Sequence, residues 1–228
     1  HIQDWSKKSK VIAVLSAMSG ETDRLINLTK SFSKNPNPID FDNAISSGEN
    51  VSCALMSICL NNQKIKAKSL LSWQIPIITS SEHMKSRILS INKKFLYDEL
   101  ENFEVLLIPG FQGINNKGEL TTLGRGGSDT SAVAVAAAME TECIIYTDVE
   151  GVFTTDPNIV PKAKKINKIS YEEMLELASQ GAKVLQTRSV ELAMRKNTKL
   201  SVRSSLKPKK IGTMITDEKS VLENNTVS

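Results

Sequence analysis

The sequence has few cysteines, few histidines and few aromatic residues. The spacing of Cys53, Cys59 and Cys143 matches no zinc-binding or redox pattern, and we interpret all three as buried small apolar residues. His1 and His83 are the only histidines, so a histidine-rich metal site or a histidine-dependent hydrolase has little raw material. We expect no metal ligand set, and we interpret His83 as a surface or turn residue.

Long apolar runs and an excess of one charge are also absent. The longest apolar stretch, Ala132–Met139, is far shorter than the ~18–20 residues that span a membrane. The 29 Lys and Arg residues are nearly balanced by 25 Asp and Glu, and only 5% of residues are aromatic. Neither a membrane nor a nucleic acid is therefore an expected partner. A reducing cytoplasm is the expected location.

Short apolar strands alternate with helical patterns along the 228 residues. This alternation predicts an α/β fold with a mainly parallel sheet, in which ligands bind beyond the carboxyl ends of strands. The chain has the length of one large domain or two small ones. The predicted strands cover residues 10–15, 63–71, 75–79, 105–108, 143–147 and 200–203. One predicted helix begins near residue 22, and a second runs from residue 49 to about residue 60. Further helices are predicted over residues 130–138, 171–178 and 182–195.

The most distinctive motif is the glycine-rich segment Gly124–Asp129, which precedes an apolar segment that we interpret as a buried helix. Glycines let backbone N–H groups approach an anion, and a helix N-terminus adds partial positive charge. The segment matches neither a P-loop nor the dinucleotide-binding pattern. Arg125 offers a planar fork for a carboxylate or phosphate, and Asp129 could orient a cation. Alternatively, Ser128 and Asp129 only cap the helix.

Other polar residues also permit two interpretations each. Glu49 stands at a predicted helix start, where it either caps the helix or binds a substrate ammonium group. Thr147 and Asp148 follow a strand, where they either contact a nucleotide or belong to a simple turn. Lys183 either reaches a phosphate or is a surface lysine.

Taken together, these motifs resemble the aspartate kinases of the amino-acid kinase family. The resemblance rests mainly on Thr121–Thr130 and Tyr146–Pro157, and it extends from about Val11 to Ile215. Shorter matching segments occupy residues 15–22, 47–49, 110–113 and 181–185. The resemblance implies a three-layer sandwich with a mainly parallel central sheet. It also implies a kinase catalytic domain over residues 1–206 and a linker over residues 207–228 toward regulatory ACT domains.

The activity implied by the resemblance is transfer of a phosphoryl group from MgATP to the side-chain carboxylate of L-aspartate. The product, 4-phospho-L-aspartate, is the first intermediate toward lysine, threonine and methionine. An aspartate carboxylate, with a reference pKa of ~3.9, is already ionised at pH 7, so no catalytic histidine is required. ATP and Mg²⁺ are the expected cofactors. A homo-oligomer is expected because the family commonly forms one.

The resemblance also implies which residues bind the two substrates. Arg125 would clamp a substrate carboxylate and Asp129 would order the catalytic groups, and both count as catalytic. The expected aspartate-binding residues are Ser16, Thr22, Glu49, Arg125 and Ser128. On the nucleotide side, the expected contacts to adenine, ribose and phosphates come from Thr147, Asp148, Phe153, Asp156 and Lys183.

The sequence departs from the family pattern at three places. Phe153 and Asn158 stand where the family often has tyrosine and arginine. The family's Lys-Phe-Gly-Gly-Thr-Ser-Val segment does not occur, so we expect little or no kinase activity from this chain alone. Two alternatives remain open, namely another amino-acid kinase acting on glutamate or a nucleotide, and a non-catalytic nucleotide-binding subunit.

Overall fold

A computed structural model describes residues 1–74, 77–157, 159–181, 184–207 and 210–217. The helices within these ranges are α1 (Ile2–Ser6), α2 (Glu21–Phe32), α3 (Pro38–Ile45), α4 (Ser47–Asn62), α5 (Lys93–Asn102), α6 (Gly127–Ala138), α7 (Tyr171–Ser179) and α8 (Thr187–Lys196). The strands are β1 (Val11–Leu15), β2 (Ala67–Ser69), β3 (Ile77–Thr79), β4 (Ile88–Ile91), β5 (Val105–Pro109), β6 (Gln112–Ile114), β7 (Leu120–Thr122), β8 (Cys143–Thr147), β9 (Lys168–Ser170), β10 (Leu200–Ser204) and β11 (Thr213–Thr216). The α/β class predicted from the alternation of elements is confirmed.

The chain forms two compact units, and the first comprises His1–Ser131. Its parallel sheet has the order β1-β5-β2, and every residue of β5 is buried. Helix α4 packs on this sheet through Cys53 and Leu60, which join Val105 and Leu107 in one apolar cluster. A second sheet in this unit has the order β4-β3-β6-β7, in which only the β3–β6 pair is parallel.

The second unit begins at Ala132 and contains one sheet with the order β8-β10-β11-β9. The β8–β10 and β11–β9 pairs are parallel, whereas β10 and β11 are antiparallel. Tyr171 and Met174 of α7 and Val190 of α8 pack into its apolar cluster. Parallel strands joined through helices place their carboxyl ends at one edge of the sheet, where ligand-binding loops collect.

Local sequence explains how several elements begin. The Asn37 side chain accepts a hydrogen bond from the Ile39 N–H, and Pro38 stands at the first position of α3, where its missing N–H costs nothing. Ser170 and Glu173 exchange hydrogen bonds in a capping box that starts α7. None of the described helices is long and apolar enough to span a membrane.

The structure corrects five details of the sequence analysis. Cys59 is exposed and not buried, because it lies on the outer side of α4. The strand predicted for residues 63–71 is reduced to β2, since the chain turns directly after α4, where Lys64 has a φ of 65°. The helix predicted from residue 182 begins at Thr187, whereas α6 begins earlier than expected, at Gly127. Residues 213–216, within the expected linker, form β11 between β10 and β9.

Candidate functional site

The carboxyl ends of β1 and β5 lie side by side in the first unit. The Gly110 N–H donates a hydrogen bond to the Leu15 carbonyl oxygen at 2.9 Å. A Cβ on Gly110 would lie 2.9 Å from the Ser128 side chain, so glycine is what permits this approach. The structure therefore brings Ser16, which directly follows β1, to the same edge of the sheet as Ser128.

Glu49 lies in the first turn of α4 with only 3% of its surface exposed. Its Oε1 accepts a hydrogen bond from the Ala17 N–H at 3.3 Å, while Oε2 is buried without a hydrogen-bond partner among the described residues. Burial raises the pKa of Glu49 to about 7, although the Ala17 N–H opposes the shift. A Cβ on Gly48 would lie 2.8 Å from the Cβ of Ala17. The absence of a side chain at Gly48 therefore lets the start of α4, which carries Glu49, pack closely on the loop after β1.

The glycine-rich segment forms a tight turn into α6. Gly124 and Gly126 have φ angles of 76° and 71°, a region that favours glycine, and the intervening Arg125 is exposed. A Cβ on Gly127 would lie 2.8 Å from the Phe111 ring, which explains glycine at this position too. The turn thus exposes Arg125 to solvent, and it depends on glycine at both neighbouring positions, where other residues would be strained.

Ser128 and Asp129 occupy the first turn of α6 and do not precede the helix. Asp129 is half-buried, and burial raises the pKa of its carboxyl group to about 6. The positive end of the helix dipole favours a carboxylate at this place, but neither residue is the N-cap that the capping interpretation required. Thr22 lies in the first turn of α2, two residues after Gly20, the helix N-cap with a φ of 75°.

In the second unit, Thr147 and Asp148 lie at the carboxyl end of β8. The Thr147 hydroxyl donates to the Asp148 carboxylate at 3.0 Å, and Asp148 is exposed. Both the N–H and the hydroxyl of Ser205 donate to the Thr147 carbonyl oxygen, at 2.7 and 2.9 Å. The sequence analysis missed Ser205, which the parallel pairing of β8 with β10 brings beside Thr147.

Two further nucleotide-side predictions, Phe153 and Asp156, lie in the loop after β8. Phe153 is half-buried and forms a β-bridge with Lys165. Asp156 is exposed, and its carbonyl oxygen accepts hydrogen bonds from the N–H groups of Ile159 and Val160. Lys183, together with the departure at residue 158, lies outside the described residues.

His83 lies in a turn, which is one of the two positions expected from the sequence, but it is not a plain surface residue. Its side chain is 12% exposed, and Nδ1 lies 2.9 Å from the carboxylate of the fully buried Asp42. The two residues are 41 positions apart, so no local pattern could reveal the pairing. Within the described ranges, no group of three His, Cys, Asp or Glu side chains is placed to hold a metal ion.

The sequence of this chain is similar to those of known proteins. The model of the amino acid kinase family matches residues 1–204. An aspartokinase from Rickettsia felis is 48% identical over 98% of this chain and 57% of its own length. An aspartate kinase from Pseudomonas putida is 48% identical over 96% of the chain and 53% of its own length. The chain therefore spans about half the length of these curated relatives.

Solved structures show the same similarity. Aspartate kinase from Synechocystis superposes with a TM-score of 0.81 and 42% identity, over 94% of this chain and 36% of that one. Aspartokinase III of E. coli in complex with aspartate and ADP has a TM-score of 0.76 and 30% identity, over 86% of this chain and 44% of that one. Since the family model also covers nearly all of the described residues, this chain belongs to the amino acid kinase family.

Proposed function

We propose that this chain is the kinase part of an aspartokinase, which transfers a phosphoryl group from ATP to the side-chain carboxylate of L-aspartate. The observation that carries the proposal is the buried Glu49 carboxylate, whose Oε2 has no partner among the described residues. A buried anion with an unused acceptor is costly unless a cation arrives to pair with it. The ammonium group of an amino acid is such a cation.

The first unit supplies the groups for the rest of the amino acid. The exposed Arg125 matches the planar geometry of the substrate α-carboxylate. The hydroxyl groups proposed to donate hydrogen bonds to the aspartate belong to Ser16, Thr22 and Ser128. The N-terminus of α6 adds partial positive charge, which offsets the repulsion between the substrate carboxylate and the incoming phosphates.

We assign nucleotide binding to the second unit. Thr147 and Asp148 offer a hydroxyl and a carboxylate for adenine or ribose, and Phe153 offers an apolar surface for the nucleoside. Asp156 and Lys183 are assigned to the ribose and phosphates. Kinases hold Mg²⁺ through one or two carboxylates plus substrate phosphates, so the exposed carboxylates of this unit fit a cation that arrives as MgATP. When bound, Mg²⁺ neutralises charge on the phosphates.

The reaction itself moves no proton. An oxygen of the substrate side-chain carboxylate forms a bond to the γ-phosphorus, while the bond from that phosphorus to the β,γ-bridging oxygen breaks and its electron pair leaves with ADP. Catalysis then consists of alignment and charge neutralisation. Asp129, at the start of α6, is assigned the ordering of the groups around the transferred phosphoryl group.

The direct test is aspartate-dependent formation of ADP in the presence of MgATP. We would assay both this 228-residue chain and the longest reading frame that contains it, because the chain spans about half of its relatives. Turnover of aspartate by the longer protein supports the proposal, and the shorter chain is expected to turn over more slowly. Turnover of glutamate or a nucleoside monophosphate without turnover of aspartate would replace the proposal by one of its alternatives.

Substitution of Arg125 tests the assignment of the α-carboxylate. Loss of a charge-assisted bidentate pair costs about 1.5–3 kcal/mol, so Arg125→Ala should raise the KM for aspartate about 10- to 100-fold. Arg195→Ala is the matched control, since Arg195 is an exposed arginine on α8. An unchanged KM for aspartate in Arg125→Ala would refute this assignment.

A further inference from the structure

The carboxylate of Asp42, on α3, is fully buried and binds two segments that are distant in sequence. It accepts hydrogen bonds from the Thr122 N–H at 3.0 Å and the Thr122 hydroxyl at 2.6 Å, at the end of β7. It also accepts the Met84 N–H at 3.0 Å, and Nδ1 of His83 lies 2.9 Å away. All of these groups belong to the first unit.

The partners of Asp42 adjoin the turn that presents Arg125. Met84 has a φ of 66°, which is unusual for a residue with a side chain, and its N–H is held by Asp42. The Met84 carbonyl oxygen lies 2.9 Å from the position that a Cβ on Gly124 would occupy. Thr122 is three residues before Arg125 in the chain. Asp42 therefore fixes both the residue packed against this turn and the strand that leads into it.

A second buried side chain, that of Gln112, connects the β6–β7 hairpin to the segment that carries Glu49. Gln112 of β6 is fully buried, and its Nε2 donates to the Ser46 carbonyl oxygen at 3.0 Å. Its side-chain oxygen accepts a hydrogen bond from the Ser72 hydroxyl. Ser46 stands between α3 and α4, three residues before Glu49. The corner that carries Glu49 is thus attached to the β6–β7 hairpin at two points, through Asp42 and through Gln112.

We propose that Asp42 is a positioning residue that sets the separation between Glu49 and Arg125, the groups assigned to the ammonium and the α-carboxylate of aspartate. This inference rests on the proposed function. A buried carboxylate is expensive unless its oxygens are satisfied, so four donors from two segments define one arrangement of those segments. Groups that bind two ends of one small molecule must be held within a fraction of an ångström of the productive geometry.

Kinetics of the longest reading frame that contains this chain provide the first test. We expect Asp42→Asn to raise the KM for aspartate about tenfold or more, since the NH2 group that replaces one carboxylate oxygen cannot accept a hydrogen bond from these donors. The KM for ATP should stay within about twofold. Thr122→Val, which removes one hydroxyl, should raise the KM for aspartate by a smaller factor. Thr122→Ser, which retains the hydroxyl, should have the wild-type KM for aspartate.

Thr29→Val is the matched control, because the Thr29 hydroxyl makes a 2.8 Å hydrogen bond to the Ile26 carbonyl oxygen within α2 of the same unit. We expect its KM for aspartate to equal that of the wild type. Equal increases in the KM values for aspartate and ATP in Asp42→Asn and Thr122→Val would indicate a general structural role and would overturn the inference. Unchanged KM values for aspartate in both variants would also overturn the inference.

Hydrogen exchange measured on the ligand-free chain separates this inference from the proposed function. Amides of residues 123–128 should exchange at least about tenfold faster in Asp42→Asn or Thr122→Val, with β5 amides unchanged. If the wild-type protein neither binds nor turns over aspartate, the proposed function fails, while the exchange rates still decide whether Asp42 orders the turn. If aspartate is a substrate and the exchange rates of residues 123–128 do not change, the positioning role is refuted.

Discussion

Replacing Glu49 with glutamine should remove a pH dependence from the stability of the protein. Burial raises the pKa of Glu49 from 4.5 to about 7 in the folded state. The folded state therefore holds this proton more tightly than the unfolded state does. Below about pH 4.5, Glu49 is protonated in both states, so the free energy of unfolding does not change with pH through this group. As the pH rises from 4.5 toward 7, the unfolded state loses the proton first and the free energy of unfolding falls. At about 1.4 kcal/mol for each unit of pKa, a shift from 4.5 to about 7 corresponds to a total loss of about 3.5 kcal/mol well above pH 7.

The assay is urea unfolding of the wild type and of Glu49→Gln at pH 5 and pH 8. The stability of the variant relative to the wild type should increase by about 2–3 kcal/mol between these values. The comparison across pH matters more than either value alone, since the buried amide of glutamine can itself cost about 1–3 kcal/mol at every pH. Asp129 titrates equally in both proteins, and the neighbouring Cys53, whose pKa is raised to about 12, remains a thiol.

Glu142→Gln serves as the control, because Glu142 is an exposed carboxylate before β8. Its stability should follow the wild type at both pH values. If the difference in the free energy of unfolding between Glu49→Gln and the wild type is the same at pH 5 and pH 8, the conclusion that Glu49 is buried with a raised pKa is refuted. In the same experiment, L-aspartate should stabilise the wild type more at pH 8 than at pH 5, since only ionised Glu49 pairs with an ammonium group.

Two further substitutions test the packing around the candidate site and the core. Gly110→Ala would place a Cβ 2.9 Å from Ser128, so we expect about 1–3 kcal/mol of destabilisation in urea and a higher KM for aspartate; wild-type values would contradict the close approach. Leu107→Ala, at a fully buried position of β5, should cost about 2–5 kcal/mol in urea. Leu89→Ala, at a residue that is 66% exposed, should change stability by less than about 0.5 kcal/mol, and equal effects of the two leucine substitutions would show that the assignment of the core is wrong.

Elements with strong local signals were predictable. Strand β8 occupies the predicted residues, and β5 coincides with the continuous apolar run that predicted it and extends one residue further. Helix α7 begins at the predicted Tyr171 because a capping box precedes it. The short strands β4, β6, β7, β9 and β11 were not predicted. Each has only three or four residues, which is too short for a clear period, and its pairing comes from strands elsewhere in the chain.

The site shows the same division between local and distant information. The glycine-rich motif indicated Arg125 as a candidate, and the position of a carboxylate at a predicted helix start indicated Glu49. The approach of Gly110 to Ser128 and the pairing of Asp42 with His83 were invisible, because each joins residues that are far apart in the chain.

The sequence by itself determined the α/β class, the family resemblance and the residue types available for binding an amino acid and a nucleotide. These follow from periodicity, composition and local motifs, which depend only on neighbouring residues. Tertiary structure alone decided that the Glu49 carboxylate is buried beside Ala17, with Oε2 unpartnered among the described residues. It also decided that Asp42 joins His83, Met84 and Thr122. Burial and long-range hydrogen bonds are properties of the packed chain, since they depend on which distant segments exclude water from a given group.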